Sequence, residues 1–246
     1  MLEVNALTVH LGRRTIFSNV NMHISRGVTM LLGKNGCGKS TLIRAIAGLI
    51  PSKGNIFFEG RNVCSLRPHE RAKLFAYLPQ KQNTPSGTSV LDYVSLSTGK
   101  LFAPPDASGR ESAHAELVRI GLQHLEHRRI ETLSGGELRL AGLARARAQR
   151  SRIMLMDEPL AGLDFSRQHE FMLQACTDDT PMLMSVHDPV IAWQYADDIL
   201  VMHDGKIFHC PGNDEARFQQ LMTLVYGAPL WFEQAGKRRI PIWHND

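Results

Sequence analysis

The chain has no run of apolar residues near the roughly 18 that a membrane-crossing helix needs. If the protein works at a membrane, another chain must cross it. Its four cysteines, Cys37, Cys64, Cys176 and Cys210, lie far apart with no CxxC pair. That spacing argues against a zinc site or a disulfide framework and for free thiols in a reducing compartment. Sustained heptads, internal repeats and low-complexity tracts are missing, which excludes a long coiled coil or a solenoid. Met1-Leu2-Glu3-Val4 shows no basic stretch followed by an apolar one, so no secretory leader is expected. Charge of one sign is scarce as well: 28 Lys and Arg against 24 Asp and Glu leave +4. That excess is too modest to specify a polyanion, and no nucleic-acid partner is expected.

What remains is ordinary globular composition, 43% apolar and 21% charged over 246 residues, enough for one large domain or a core with an insertion. The segments 2–9 and 20–24 alternate apolar and polar residues, the period of half-buried strands, so the chain should open in antiparallel β structure. Val28-Thr29-Met30-Leu31-Leu32 is a buried-strand run that ends at a Gly-rich turn and precedes a helix-like stretch from Ser40 to Leu49. Two further apolar runs, 153–156 and 182–186, end at Asp157-Glu158 and at His187. Open parallel sheets bind ligands at such strand ends. Residues from about 86 to 150 carry helical periodicity, broken by Ala103-Pro104-Pro105-Asp106, and predict an inserted helical subdomain. Residues 211–246 open with Pro211-Gly212-Asn213-Asp214 and predict a helix and short strands.

Gly33-Lys34-Asn35-Gly36-Cys37-Gly38-Lys39-Ser40-Thr41 fits the phosphate-binding loop pattern in its expected strand-to-helix setting. Its glycines let backbone amides curl around phosphates, Lys39 neutralises charge, and the Ser40 hydroxyl suits Mg²⁺. An acidic pair after a strand is weak by itself. Beside a phosphate loop, Asp157 would serve the metal and Glu158 would polarise an attacking water. Leu133-Ser134-Gly135-Gly136-Glu137 opens an Arg- and Ala-rich helix. It reads both as a capping box, with Glu137 at the third helical position, and as a second anion site.

Together these motifs resemble the nucleotide-binding subunit of ABC transporters over roughly residues 1–225, with 226–246 a short C-terminal extension. The resemblance implies an α/β fold, a P-loop NTPase core with an N-terminal antiparallel β subdomain and an inserted α-helical subdomain. It also implies ATP and Mg²⁺ as ligands. Ser134, Gly135 and Gly136 would then complete the ATP site of an opposite subunit, in a homodimer or with a paired ATPase subunit. Tyr77-Leu78-Pro79-Gln80 resembles the family's Q-loop, with Gln80 at the metal or the attacking water and as a hinge. Leu160-Ala161-Gly162-Leu163-Asp164 resembles the D-loop, which reaches across the dimer through Asp164. Ser185-Val186-His187-Asp188 resembles the switch segment, with His187 on the γ-phosphate.

Two departures stand out. Val9-His10-Leu11-Gly12 carries leucine where the family stacks an aromatic ring on adenine, so adenine packing would use Leu11 or His10, or be weak, with base selectivity left open. After the signature, Leu138-Arg139-Leu140-Ala141-Gly142-Leu143 is less polar than usual, and local repacking is expected there with hydrolysis intact.

With no fused membrane helices, the resemblance favours import, with integral membrane permease subunits and, indirectly, a substrate-binding protein as partners. The chain would then sit peripherally on the cytoplasmic face of the inner membrane, with the permease beside residues 80 to 100. Ala76 to Gln80 and Leu221 to Gly227 look like the subgroup that takes up iron-siderophore, haem or cobalamin. Import of another small solute, or a soluble ABC-type ATPase unconnected to transport, stand as alternatives. A soluble DNA or ribosome factor would usually show a coiled coil or two ATPase halves. A module that holds ATP without hydrolysing it fits poorly with Glu158 and His187, and a kinase leaves the signature without a role.

Overall fold

The computed structural model describes residues 1–98, 105–177, 179–212, 214–236 and 238–243. Of the segments expected above, positions 99–104 of the helical subdomain, with Ala103 and Pro104 among them and 99 and 100 also in the permease-facing stretch, Asn213, and positions 237 and 244–246 of the C-terminal extension lie outside them. The chain divides into two compact units, one of Met1–Leu66, Met156–Glu158 and Thr180–Asp246, the other of Arg67–Leu155 and Pro159–Asp179.

The first unit opens with β1 (Leu2–Leu11) and β2 (Arg14–Ile24), antiparallel from Leu2↔Ile24 to Leu11↔Arg14. Alternation places Leu2 and Val4 in the core, and a register shift between Val4 and Leu7, where Ala6 adopts φ 52, changes its phase so that Leu7 and Val9 are buried in turn. Next comes β3 (Val28–Leu32), all five residues buried, the mark of a strand covered on both faces. From it the chain passes through the Gly-rich loop into α1 (Lys39–Ala47), which buries Leu42, Ile43 and Ile46. Gly48 ends this helix in the left-handed conformation, its N–H bonded to the carbonyls of Ala45 and Arg44. β4 (Lys53–Phe58) and β5 (Arg61–Asn62) complete a four-stranded antiparallel sheet in the order β2-β1-β4-β5.

The second unit contains α2 (Pro68–Ala72), β6 (Phe75–Leu78), α3 (Val90–Ser95), α4 (Ala107–Arg119), α5 (Gly135–Ala148), β7 (Ile153–Met156, whose last residue belongs to the first unit) and α6 (Phe165–Ala175). Its longer helices begin on oxygen-bearing side chains: Ser89, Asp106, Ser134 and Asp164 each accept a backbone N–H three residues on. Such caps satisfy N–H groups that the helix itself cannot. α3, α4 and α5 pack on one another around Tyr93, Val94, Leu117, Leu140 and Leu143, with the Arg145 guanidinium 4.8 Å above the Tyr93 ring. The unit reaches beyond the span expected from helical periodicity because it also takes in β6, most of β7 and α6. Periodicity marks helices; it is silent on which strands they pack against.

The chain then returns to the first unit as β8 (Met182–Ser185), α7 (Pro189–Tyr195), β9 (Asp198–His203), β10 (Lys206–Pro211), α8 (Glu215–Tyr226), β11 (Leu230–Ala235) and β12 (Arg238–Trp243). β3 lies parallel between β8 and β9, and β10 closes the order β10-β9-β3-β8 antiparallel to β9. The C-terminal hairpin β11–β12 is tied to α7 and α8 by three rings: Trp193 lies 5.0 Å from Phe218 and 4.7 Å from Phe232, centroid to centroid. Trp193 Nε1 donates to the Arg239 carbonyl at 3.0 Å, and the Arg239 guanidinium pairs with Glu215. Phe218 is fully buried, whereas Leu224 on the same helix is half exposed. Phe218→Ala should therefore cost about 3–5 kcal/mol and Leu224→Ala within about 0.5 kcal/mol, as measured by denaturant unfolding.

Candidate nucleotide site

Three strand ends of the first unit converge on the phosphate loop. The chain leaves β3 at Gly33, where an added Cβ would lie 2.5 Å from the Met202 carbonyl oxygen and 2.8 Å from the Cys37 sulfur. Only glycine allows that approach. Lys39, 3% exposed, bends its ammonium back over the loop to the carbonyls of Gly33 (2.7 Å) and Lys34 (3.2 Å). A buried cation with carbonyl partners, set at a helix N-terminus, is an arrangement that favours an anion.

Behind the loop lies Asp157, 1% exposed. Ser40 Oγ donates to its Oδ1 at 2.8 Å, and Ser185 Oγ donates to the same oxygen at 3.1 Å. The Ser185 hydroxyl also accepts the Glu158 N–H at 2.9 Å. Glu158 itself adopts φ 46, a left-handed conformation costing about 1–3 kcal/mol outside glycine. In that conformation its carboxylate lies 2.8 Å from His187 Nε2. Strand β8 thus ends in the hydroxyl that ties Asp157 to Glu158, and two residues later supplies the imidazole that meets Glu158.

Ser40 and Asp157 offer hard oxygen donors, the kind Mg²⁺ takes, so the cation fits these residues. Among the described residues no cluster of three His, Cys, Asp or Glu forms a metal site. A cation here would complete its shell with phosphate and water, as magnesium commonly does. A cavity of about 180 Å³ runs along Lys39, Ser40, Thr41 and Glu158. Its remaining wall includes Arg14 and Ile16 of β2. A second cavity, about 600 Å³, has Asn35 and Cys37 on one side and Arg14, Ile16, His203 and Lys206 around it. Burial raises the Cys37 thiol pKa above its ordinary value, with Lys39 opposing the shift.

The second unit holds the other candidate residues. Ser134 caps α5, accepting the Glu137 N–H at 3.3 Å, while the Glu137 carboxylate accepts the Ser134 N–H at 2.7 Å. This is the reciprocal capping box. Gly135 and Gly136 follow as the first helical residues. Asp164 caps α6 by accepting the Arg167 N–H at 3.0 Å, a bond that lowers its pKa. Gln80 follows β6; its neighbour Pro79 receives an N–H from Arg139 at 3.5 Å, and desolvation lowers the Arg139 pKa.

Residues 17–161 match the ABC transporter family. The chain belongs to that family. It is 33% identical to the petrobactin import ATP-binding protein FpuD of Bacillus anthracis, over 97% of this chain and 95% of that one. It is also 33% identical to the hemin import ATP-binding protein HmuV of Deinococcus radiodurans, over 92% and 90%. Among solved structures, a nucleotide-free ATP-binding cassette from an ABC transporter superposes with a TM-score of 0.81 at 24% identity, covering 92% of this chain and 97% of that one. A metal-chelate type ABC transporter in an inward-facing conformation gives 0.82, also at 24% identity, over 99% and 96%. The fold is therefore the α/β cassette of ABC ATPases, with its antiparallel β subdomain and helical part.

Within this ABC ATPase, the first unit brings together Gly33 to Thr41, Asp157, Glu158 and His187, while Gln80, Ser134, Gly135, Gly136 and Asp164 belong to the second. Leu11, about half exposed, closes β1 and lines neither cavity, whereas Arg14 and Ile16 line both. Those two residues were missed from sequence. For Arg14 the signal was the Gly12-Arg13 turn, which pairs Leu11 with Arg14 across the hairpin. Ile16, and Ser185 as a connector, carried no local signal. Within the segment after the signature, Gly142 has a steric reason: a Cβ there would lie 2.1 Å from the Gln82 amide, which accepts the Tyr93 hydroxyl at 2.9 Å.

The Glu137 carboxylate, accepting from Ser134, has its pKa held below the ordinary 4.5. With the folded value under the unfolded one, its stabilisation is complete above the unfolded pKa and drains as pH falls through the folded one. Glu137→Gln should accordingly be less stable than wild type near neutral pH and match it once the wild-type Glu137 carboxyl is protonated in folded and unfolded states alike, read by denaturant unfolding at the two pH values.

Proposed function

We propose that this chain is the ATP-hydrolysing subunit of an ABC importer for a metal chelate of the iron-siderophore, haem or cobalamin class. The contact series Ser40–Asp157–Ser185–Glu158–His187 beside the buried Lys39 carries the reading. It joins a phosphate-gripping loop, a metal-suited carboxylate and a general base in one place. The cargo class follows from relatives named for petrobactin and hemin import.

In this reading the backbone amides from Gly33 to Gly38, with Lys39 and Thr41, hold the β- and γ-phosphates. Ser40 and Asp157 would hold Mg²⁺, which when bound would neutralise charge on those phosphates, and Gln80 is proposed as its further ligand. Glu158 takes a proton from a water whose oxygen attacks the γ-phosphorus as the bond to the β-phosphate bridge breaks. ADP departs with the bonding electrons, and His187 and Lys39 stabilise charge on the transferred group. His187 also orients Glu158. Ser134, Gly135, Gly136 and Asp164 of a second copy close over the nucleotide, so hydrolysis belongs to a dimer. Residues 1–225 form the ATPase and 226–246 an extension to it.

No helix among the described residues is long and apolar enough to cross a membrane. In this reading the subunit works peripherally, on the cytoplasmic face, against separate permease chains. Steady-state hydrolysis by the purified chain should rise more steeply than its concentration. Glu158→Gln should lower the rate at least about 10²-fold and trap an ATP-bound dimer detectable by size-exclusion chromatography. A linear concentration dependence would sink the composite site. Uptake of a ferric siderophore, haem or cobalamin by vesicles holding the co-purified permease tests the cargo; transport of none of the three with brisk hydrolysis would point to another solute.

A further inference from the structure

A nucleotide bound as proposed needs a surface for its base, and the usual one is missing. No Trp or Tyr lines either cavity around the phosphate loop. Phe17 is 2% exposed, with its Cδ1 edge toward Gly38, and His203 is engaged with Asp204 at 3.4 Å. Lys39, Ser40 and Glu158 are occupied by phosphate, metal and water in the reading above. Of the side chains that remain on the wall of the smaller cavity, Arg14 and Ile16 stand outside the loop, and both also line the larger one.

Local structure explains how they come to be there. Leu11 and Arg14 form the last cross-strand pair of the β1–β2 hairpin. Between the pairs His10↔Thr15 and Val9↔Phe17 the register shifts, leaving Ile16 as an extra residue. Such bulges redirect side chains and recur beside functional sites. Ile16 Cγ2 then sits 3.1 Å from the place of a Cβ on Gly38, against the loop itself. The Arg14 guanidinium has no carboxylate partner among the described residues. It is planar, weakly hydrated for a cation, and suited to lie flat on an aromatic face.

The geometry points to Arg14 as the residue that stacks on the nucleotide base, in place of an aromatic ring, with Ile16 as the apolar floor beside the phosphate loop. The inference rests on the nucleotide reading and adds the base contact to it. Arg14 sets affinity for the base while leaving the grip on the phosphates to Lys39 and the loop. Leu11, its cross-strand neighbour, supports the Arg14 stem rather than forming the stack.

The test measures dissociation constants for ATP and for inorganic tripolyphosphate in a Glu158→Gln background, where ligand is not consumed, with Arg14 as Arg, Ala, Lys or Phe. Arg14→Ala should weaken ATP roughly tenfold and leave tripolyphosphate unchanged. Arg14→Phe should restore ATP affinity, since a flat ring suffices, and Arg14→Lys should not. If lysine restores binding, phenylalanine does not, and tripolyphosphate weakens in parallel with ATP, Arg14 is a phosphate contact and the stack is wrong. Equal ATP affinity in Arg14→Ala and its parent overturns the assignment while leaving the nucleotide site intact. A parent chain that binds neither ligand removes the nucleotide reading itself.

Discussion

Burying the Asp157 carboxylate is unfavourable unless hydrogen bonds replace the water it gives up, and two hydroxyls, from Ser40 and Ser185, do so. Each hydroxyl is placed by a different element, Ser40 by the first turn of α1 and Ser185 by the last residue of β8. The carboxylate therefore fixes the helix that opens at the phosphate loop against the end of a parallel strand. Ser185 extends the same link to the Glu158 backbone, and through it to the Glu158–His187 contact. Loss of the Asp157 anchor would release all three.

The left-handed turn at Glu158 follows from that anchoring. A non-glycine residue at φ 46 persists only where its surroundings over-determine it, and here its N–H is bonded to Ser185 while its carboxylate meets His187. Asp157, next to it, is held by the same Ser185 hydroxyl and by that of Ser40. The strain is the local cost of turning two consecutive carboxylates to different tasks, one inward to hydroxyls and one toward an imidazole.

The parts of this arrangement that were legible in sequence are those set by near neighbours. Alternation in β1, the β-rich run of β3 and the glycines of the loop are local signals, and so is the capping box of Ser134 and Glu137. The family resemblance supplied Gln80 and Asp164, which no local pattern marks, and the expected role of His187, which its strand end marks only by position. What stayed hidden depends on contacts between distant segments. Ile16 reaches the loop through a one-residue register shift, and Gly142 leaves room for Gln82 some sixty residues earlier. Neither a bulge nor a close approach of this kind has a signature in its own stretch of chain. Ser185 belongs to the same class, because its importance lies in bonding residues 27 and 28 positions away.

The stretch that matches the family ends at residue 161, yet the site is not complete there. Ser185 and His187 come from beyond it, and so does Met202, whose carbonyl closes against Gly33 and whose methyl group would lie 2.9 Å from a Cβ on Gly38. Further on, burial raises the pKa of the Tyr226 phenol at the end of α8, and Cys37 of the phosphate loop adds to the shift. The C-terminal helix thus ends within electrostatic reach of the loop. Phe218 on that helix packs with Trp193 and Phe232, so the terminal hairpin is held by the same aromatic cluster that seats α8. A lesion in the hairpin would therefore reach the loop through the seating of one helix, with no residue of the phosphate loop itself altered.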